Sequence, residues 1–286
     1  MKPRTQRTKY LAWTALCLVS LVSAPAQSEI RRVVSLNPCL DVILVNVADR
    51  EQIAALSHYA RDADSSTIFE IASTFPVIYE SAEEVLALEP DLVLTSRHSD
   101  LATRNVLRRL DIKTELFNEP KTLAESLNQI RVIAGLVNRV ERGDALIAKI
   151  EEALRMAEPE AGTPLLSALV FQRNGFSTGS GTLVHEMLER TGYRNAGWRY
   201  GLSGWGNIPL ERVIADPPEV LLAGEILPNV PTWADRVVRH PALRNIGDRM
   251  KRATFPDRLI YCGGPVLIES VKTLMSVRLN ILDQRP

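Results

Sequence analysis

Short apolar segments alternate with amphipathic helical patterns in the first half of the chain. The apolar segment at residues 32–36 stops just before Pro38, which predicts a buried strand followed by the start of a helix. Ser81 and Glu84 have capping-box spacing and predict a helix over residues 82–89. Further helices are predicted at residues 40–47 and 101–110, and further strands at residues 52–56, 91–95 and 114–117. This alternation predicts a parallel sheet with helices on its faces.

The middle of the chain carries the longest helical pattern. From Thr122 to Leu154, apolar residues recur at helical spacing with an interruption near residues 138–143, which predicts two long helices. The alternation then restarts, with strands predicted at residues 165–171 and 258–261 and helices at residues 182–191, 233–238 and 266–282. The chain is therefore predicted to form two α/β lobes, residues 27–139 and 160–286. A stiff helix at residues 140–159, roughly 25 Å long at 1.5 Å per residue, joins them.

Two segments of the chain resemble each other. Residues 82–94 read AEEVLALEPDLVL, and residues 210–222 read LERVIADPPEVLL. At an offset of 128 they match Glu83 with Glu211, and each glutamate has a proline seven residues later. One explanation of the match is chance, because helix-turn-strand units of α/β proteins are built from the same residue types. Because the segments occupy corresponding places in the two halves, two similar lobes with a cleft between them are favoured.

The first 26 residues are typical of a signal peptide. A basic start precedes an apolar core at residues 11–22, and small residues at positions 24 and 26 fit a cleavage site. The apolar core is shorter than the roughly 20 residues of a membrane-spanning helix. Cys17 follows the bulky Leu16, which is unlike a lipid-anchored start. We therefore expect residues 1–26 to be removed and the mature protein to be periplasmic.

The charge balance limits the classes of partner. The whole chain has 34 basic and 34 acidic residues, and removal of the signal peptide takes away four basic ones, which leaves 30 basic against 34 acidic. A mildly acidic protein lacks the basic surface that binding to a nucleic-acid backbone needs. Nucleic acid is therefore excluded as a partner.

Two segments carry a resemblance to a known family. Residues 32–38 (RVVSLNP) and 83–93 (EEVLALEPDLV) resemble the first-lobe signature of the periplasmic substrate-binding proteins that serve ABC importers of cobalamin, iron siderophores and haem. The resemblance implies an α/β protein of two Rossmann-like lobes with parallel sheets, joined by a single long α-helix. It also implies a monomer without a cofactor of its own, a metal-chelate ligand in the cleft, and a permease dimer with its ATPase as partner.

Two acidic residues are candidates for contact with that permease. The family projects one acidic residue from each lobe toward arginines of the permease, and by motif these are Glu83 and Glu211. Two carboxylates at equivalent helix starts suit a two-fold symmetric partner, because a rim charge pair sets orientation and encounter rate. The alternative is that each carboxylate only complements its helix dipole, which is worth about 0.3–1 kcal/mol.

The loops that follow the predicted strands are the expected ligand site. Ligands of open parallel sheets lie at the carboxyl ends of the strands, and in this chain those loops carry aromatic and cationic residues. Flat aromatic faces suit a planar or macrocyclic ligand, and arginines pair with carboxylate or phosphate groups. The candidates for ligand contact are Tyr59, Arg97, His98, Arg173, Phe176, Trp205 and Cys262.

Two cysteines and two histidines in these loops leave three interpretations open. Cys39, His58, His98 and Cys262 are suitable ligands for a soft or borderline transition metal, although their spacing is not a local metal signature. Because Cys39 and Cys262 are the two cysteines of the expected mature chain, they are also candidates for a disulfide between the lobes. The third interpretation is a pair of unrelated thiols.

Two further function classes are alternatives to a carrier that has no catalytic step. Residues 175–179 fit the G-x-S-x-G pattern, so Ser177 is a candidate nucleophile of a secreted α/β serine hydrolase, with Asp216 or Asp235 and His240 in the matching chain order. Three residues separate the predicted strand from the motif, which disfavours this interpretation. A ligand-binding sensor component is the other alternative, and no effector domain is visible for it.

Overall fold

A computed structural model describes residues 30–224, 240–244 and 246–284. The predicted signal peptide and the helix predicted at residues 233–238 lie outside these residues. Within the described part of the chain, no helix combines the length and the hydropathy needed to cross a bilayer.

The first lobe is a five-stranded parallel sheet with strand order β3-β2-β1-β4-β5. Its central strands β1 and β4 are buried along their whole length, as expected for a sheet covered by helices on both faces. Its elements are β1 (Val33–Ser35), α1 (Pro38–Val47), β2 (Ile53–Ser57), α2 (Phe69–Ala72), β3 (Val77–Ile78), α3 (Ala82–Ala87), β4 (Leu92–Ser96), α4 (Leu101–Arg109) and β5 (Thr114–Phe117).

Local sequence explains why α1 starts where it does. The Oδ1 atom of Asn37 accepts hydrogen bonds from the backbone N–H groups of Cys39 (2.9 Å) and Leu40 (3.4 Å). Pro38 occupies the first helical position, where a missing N–H costs nothing. The cap therefore fixes Cys39 in the first turn of a helix at the carboxyl end of β1.

Two helices lie between the lobes, and the second is the bridging helix predicted at residues 140–159. They are α5 (Leu123–Leu136) and α6 (Val140–Ala157), and α6 packs against α1 and α5 at one end of the molecule and against the C-terminal helix at the other. A Cβ atom at Gly143 would lie 2.6 Å from Cβ of Ala134, so glycine permits the close crossing of α5 and α6. At 1.5 Å per residue, the 18 residues of α6 span about 27 Å.

The second lobe contains a six-stranded sheet with the order β11-β10-β6-β7-β9, in which β8 also pairs with β6. The C-terminal helix α10 packs against α6 and α7. The elements are β6 (Leu166–Phe171), β7 (Phe176–Thr178), α7 (Leu183–Arg190), β8 (Tyr193–Asn195), β9 (Trp205–Asn207), α8 (Leu210–Ala215), β10 (Val220–Ala223), α9 (Pro241–Arg244), β11 (Lys251–Thr254) and α10 (Val266–Asp283).

The two-lobed α/β fold is confirmed, and two details of the second lobe differ from the prediction. Strands β7 and β9 are antiparallel to their neighbours, so this sheet is mixed. The strand predicted at residues 258–261 is wrong, because Asp257–Leu259 is a single 3₁₀ turn. The edge strand is Lys251–Thr254, which pairs with β10. It escaped prediction because an edge strand with exposed polar residues lacks the apolar pattern of a buried one.

The repeated sequence corresponds to a repeated structural unit. Helices α3 and α8 have six residues each, and both the helices and the strands that follow them start 128 residues apart. Asp91 accepts the backbone N–H groups of Arg31 and Arg32 at 2.8 and 2.9 Å. In the second lobe, Glu219 accepts the N–H of Ser167 at 2.7 Å. Asp91 therefore fixes the backbone at the start of β1, and Glu219 fixes the backbone at the start of β6.

Candidate functional site

A disulfide joins the two lobes at the base of the cleft. Cys39 lies in the first turn of α1, Cys262 lies four residues before α10, and their Cα atoms are 5.0 Å apart. Of the three interpretations of these cysteines, the structure contains the disulfide. Neither sulfur is a thiolate in this bond, so neither is available to ligate a metal.

A cavity of about 320 Å³ lies between the lobes beside the disulfide, and we call it the central cavity. It borders Cys39, and its remaining lining comes from strand ends and loops of both lobes. The first lobe contributes Asn37, Leu40, Ser96, His98, Phe117, Asn118, Glu119, Pro120 and Gln129, and the second contributes Phe176, Trp205 and Tyr261. The cavity therefore lies where the carboxyl ends of the strands were expected to place a ligand.

Phe176 and Trp205 form an aromatic stack on the second-lobe side of the central cavity. Their rings are parallel within 1°, and their centroids are 5.3 Å apart. They lie on neighbouring strands, since β7 and β9 pair with Thr178 opposite Trp205. The Nε1–H of Trp205 donates a 2.7 Å hydrogen bond to Oε1 of Glu119 in the first lobe. The stack is thus held across the cleft by a carboxylate.

Glu119 was not among the predicted site residues. It belongs to the loop directly after β5, at the carboxyl end of an edge strand. The same rule that singled out the loops after the other strands applies to residues 118–120, so the sequence did contain a signal for this position.

Two further cavities adjoin the central one. The outer groove, of about 780 Å³, is lined by first-lobe residues that include Arg97 and Lys121. The lateral cavity, of about 450 Å³, is lined by residues that include Tyr59, Glu80 and Cys262. Partial burial raises the pKa of the Glu80 carboxyl above its ordinary value. His98 lines all three cavities, so it lies at the junction of the site.

The histidines and cysteines do not assemble into the metal site that the sequence left open. The ring of His58 stacks on Tyr79 with the centroids 4.6 Å apart and meets Tyr59 at a tilt, with the centroids 3.9 Å apart. His58 lines none of the three cavities. His98 has an exposed side chain beside the disulfide. Within the residues that the structure describes, no group of three or more His, Cys, Asp and Glu side chains is arranged to hold a metal ion.

Arg173 lines none of the three cavities, and its role as a ligand contact stays a prediction. Its guanidinium is 3.7 Å from Asp64 of the first lobe and 3.9 Å from Asp257 of the second. An arginine between two carboxylates on different lobes stabilises their relative placement. The other predicted contacts, Tyr59, Arg97, His98, Phe176, Trp205 and Cys262, each line at least one cavity.

A fully buried carboxyl group lies beneath this site. Asp41, two residues after Cys39 in α1, has no exposed surface. Its Oδ2 atom accepts a 2.5 Å hydrogen bond from Oγ of Ser57, at the end of the strand that leads to Tyr59. Burial raises the pKa of Asp41 to about 7, although hydrogen bonds from Ser35 and Ser57 oppose the shift. The group links α1 to the loop that carries Tyr59.

Ser177 does not form a nucleophile elbow. It has no exposed surface, and its Oγ donates a 2.6 Å hydrogen bond to the carbonyl of Val170 on the neighbouring strand. The carboxylate of Asp216 is engaged with Arg199. Asp235 lies outside the described residues. The Ser177–Asp216–His240 arrangement considered from the sequence is therefore wrong, because the serine is a buried strand residue without access to a substrate.

Glu83 and Glu211 occupy equivalent exposed positions. Each is the second residue of its helix, α3 or α8, and each side chain is exposed. Glu84 closes the α3 capping box by accepting the backbone N–H of Ser81 at 3.2 Å. Glu83 is therefore not needed for that cap.

Solved structures with the same fold support the architecture. The periplasmic heme-binding protein RhuT from Roseiflexus sp. RS-1 superposes with a TM-score of 0.70 at 22% identity, over 89% of this chain and 98% of that one. The periplasmic vitamin B12 binding protein BtuF of Vibrio cholerae superposes with a TM-score of 0.67 at 14% identity, over 90% of this chain and 99% of that one. Helicobacter pylori CeuE with Ni(II) bound gives a TM-score of 0.68 at 19% identity, over 87% and 83% of the two chains.

Sequence comparisons agree with the structural ones. A curated cobalamin-binding protein of Halobacterium salinarum is 21% identical over 201 residues, which is 69% of this chain and 54% of the relative. The chain thus spans about half the length of that relative. The family model described as periplasmic binding protein matches residues 33–247, from β1 of the first lobe into the second lobe. The chain belongs to the periplasmic binding protein family.

Proposed function

We propose that this protein is the periplasmic solute-binding component of an ABC importer and that it carries a metal chelate of the corrinoid class. The observation that carries the proposal is the central cavity, where a parallel aromatic stack faces amide and hydroxyl groups. Large planar chelates gain binding energy from flat apolar contact, and a few polar groups fix their orientation.

The side chains that line the central cavity itself favour a corrinoid ring over haem there, because the cations Arg97 and Lys121 lie only in the adjoining outer groove. Haem carries two propionates, and carboxylates are bound best by arginine or lysine. Among the described residues that line the central cavity there is no lysine or arginine, and there is one carboxylate, Glu119. The periphery of a corrinoid carries neutral amides instead, which suit partners such as Asn118, Gln129 and Ser96. The cobalamin-binding name of the curated relative agrees with this choice.

Removal of the aromatic stack tests the ligand site. Trp205→Ala and Phe176→Ala are each expected to weaken cyanocobalamin binding by about tenfold or more, because loss of one ring removes roughly 1.5–3 kcal/mol of buried apolar contact. Isothermal titration calorimetry on the ligand-free protein measures the change.

Trp198→Ala is the matched control for this experiment. Trp198 is 62% exposed and lines none of the three cavities, so its removal is expected to leave the affinity within about twofold. Parallel titrations with haemin test the choice of ligand. Tighter binding of haemin than of cyanocobalamin would overturn the corrinoid assignment and leave the carrier function in place.

Delivery to the permease completes the proposed function. The protein has no catalytic step of its own; it is exported through its signal peptide, captures the chelate as a monomer and presents it to a permease dimer with its ATPase. Glu83 and Glu211 support this role, since both are exposed at equivalent helix starts in the two lobes. Two such charges match a symmetric partner that offers one cationic site for each lobe.

Charge reversal at these two positions separates docking from ligand capture. Glu83→Lys combined with Glu211→Lys is expected to lower corrinoid uptake by cells at least about tenfold, because like charges placed opposite each other at an interface cost several kcal/mol. Affinity for cyanocobalamin should stay within about twofold, since neither residue lines any of the three cavities described above.

A matched control reverses two exposed glutamates on the bridging helix. Glu141→Lys combined with Glu151→Lys changes the net charge equally but lies on α6. Uptake by that variant should equal the wild-type rate. Equal loss of ligand affinity and uptake in the Glu83 and Glu211 variant would contradict the separate roles of docking face and cleft.

A further inference from the structure

The outer groove is continuous with the central cavity but has a different chemistry. Six residues line both, so the two volumes open into each other along the edge of the first lobe: His98, Phe117, Asn118, Glu119, Pro120 and Gln129. Of these two volumes, only the central cavity is lined by the aromatic stack and by Cys39 of the disulfide. The groove adds four charged side chains, which are Arg97, Glu115, Lys121 and Glu125.

The two cations of the groove are available for a ligand. Arg97 donates its Nε–H to Oδ1 of Asn118 at 2.5 Å, which orients the guanidinium. Glu125 uses its carboxylate to accept the backbone N–H of Lys121 at 2.7 Å. Across residues 30–224, 240–244 and 246–284, no carboxylate lies within 4.0 Å of the cationic nitrogens of Arg97 or Lys121. The groove thus presents two cations without an ion-pair partner among the described residues, on a lining that also carries the carboxylates of Glu115, Glu119 and Glu125.

The rim of the groove is held in place by side-chain contacts. Gln129 donates its Nε2–H to the backbone carbonyl of Asn118 at 2.6 Å, and this fixes the loop after β5 against α5. Glu119 in the same loop is bonded to Trp205. The groove and the aromatic stack therefore have a defined relative placement, as a ligand that occupies both requires.

We infer that the outer groove is a second subsite that binds an anionic polar arm of the same ligand, in the corrinoid case the ribose-phosphate arm. This inference rests on the proposed function. The central cavity, at about 320 Å³, is at the lower end of the roughly 300–1,000 Å³ range of small-molecule sites, so a corrinoid must extend beyond it. His98 lines both the central cavity and the outer groove, and the groove carries Arg97 and Lys121. Phosphate oxygens form strong charge-assisted hydrogen bonds with such cations.

A cycle of ligand truncation and mutation tests the subsite. Cyanocobalamin carries the ribose-phosphate arm, and dicyanocobinamide is a corrinoid without it. The wild-type protein is expected to bind cyanocobalamin at least about tenfold more tightly, as one or two charge-assisted contacts imply. In the double variant Arg97→Ala with Lys121→Ala, the preference for cyanocobalamin over dicyanocobinamide should fall to about threefold or less. Its affinity for dicyanocobinamide should stay within about threefold of the wild-type value.

Arg108→Ala is the matched control, because Arg108 is also an exposed arginine bonded to an asparagine, Asn105 at 2.9 Å, but lies outside the groove. It should retain the full preference. The subsite would be overturned if the wild-type protein bound the two corrinoids with equal affinity. It would also be overturned if the double variant lost affinity for both corrinoids to the same extent. Either result would leave the proposed function intact. Failure of the wild-type protein to bind either corrinoid would overturn the corrinoid function and the subsite with it.

Discussion

Replacement of both Cys39 and Cys262 by serine is expected to lower the free energy of unfolding by up to about 5 kcal/mol. The bond closes a loop across a sequence separation of 223 residues. Without it the unfolded chain gains conformational entropy, which stabilises the unfolded state relative to the folded one. It also joins α1 of the first lobe to the segment before α10 of the second. Urea denaturation followed by far-ultraviolet circular dichroism measures the change.

Reductant provides the control for the disulfide prediction. Wild-type protein in dithiothreitol should approach the stability of the double variant, whereas the variant itself should not respond. Thiol titration of the denatured wild-type mature protein should find free cysteines only after reduction. A double variant within about 1 kcal/mol of the wild type would show that the other contacts between the lobes suffice.

Asp41→Asn is expected to remove most of a pH dependence of stability. The pKa of Asp41 is about 7 in the folded protein, against an ordinary value of 3.8. The unfolded chain releases its proton first as pH rises, so the stability that the group contributes is full below about pH 4 and is lost as pH rises through about 7. Between pH 5 and pH 8 the expected loss is about 2–3 kcal/mol. Asparagine is isosteric and does not titrate.

Urea denaturation at pH 5 and pH 8 measures this slope in wild type and variant. The wild-type protein should lose more stability over the interval, and Asp41→Asn should be the more stable of the two at pH 8. Glu80→Gln is the control, because Glu80 also has a raised pKa but is only partly buried and contributes less. An unchanged slope in Asp41→Asn would show that the carboxyl group is not the titrating one.

Local signals explain why most of the fold was predictable. The capping box of Ser81 and Glu84 placed the start of α3 at Ala82, and the strand predicted at residues 114–117 is β5. Such elements are determined by residues close in sequence, through side-chain caps and the period of apolar positions. The repeat at an offset of 128 gave the two lobes for the same reason, because each copy encodes its own helix and strand.

Long-range features were less accessible. Glu119 and Trp205 are 86 residues apart, and nothing local indicates that the carboxylate holds the indole. Nothing local in the sequence indicates that the Arg173 guanidinium lies beside the carboxylates of Asp64 and Asp257, which belong to different lobes. The disulfide was one of three open interpretations, since its geometry depends on how the lobes pack. Sequence reasoning located the loops after the strands, and tertiary packing determines which of their side chains line the cavities.

Visible absorbance and metal analysis of the protein isolated from its own periplasm test the central claim most directly. The account predicts corrin absorbance bands and up to one equivalent of cobalt for each chain, and less of both in the Trp205→Ala variant after the same isolation. Colourless, metal-free protein that takes up no cyanocobalamin, or protein isolated with haem iron instead of cobalt, would contradict it.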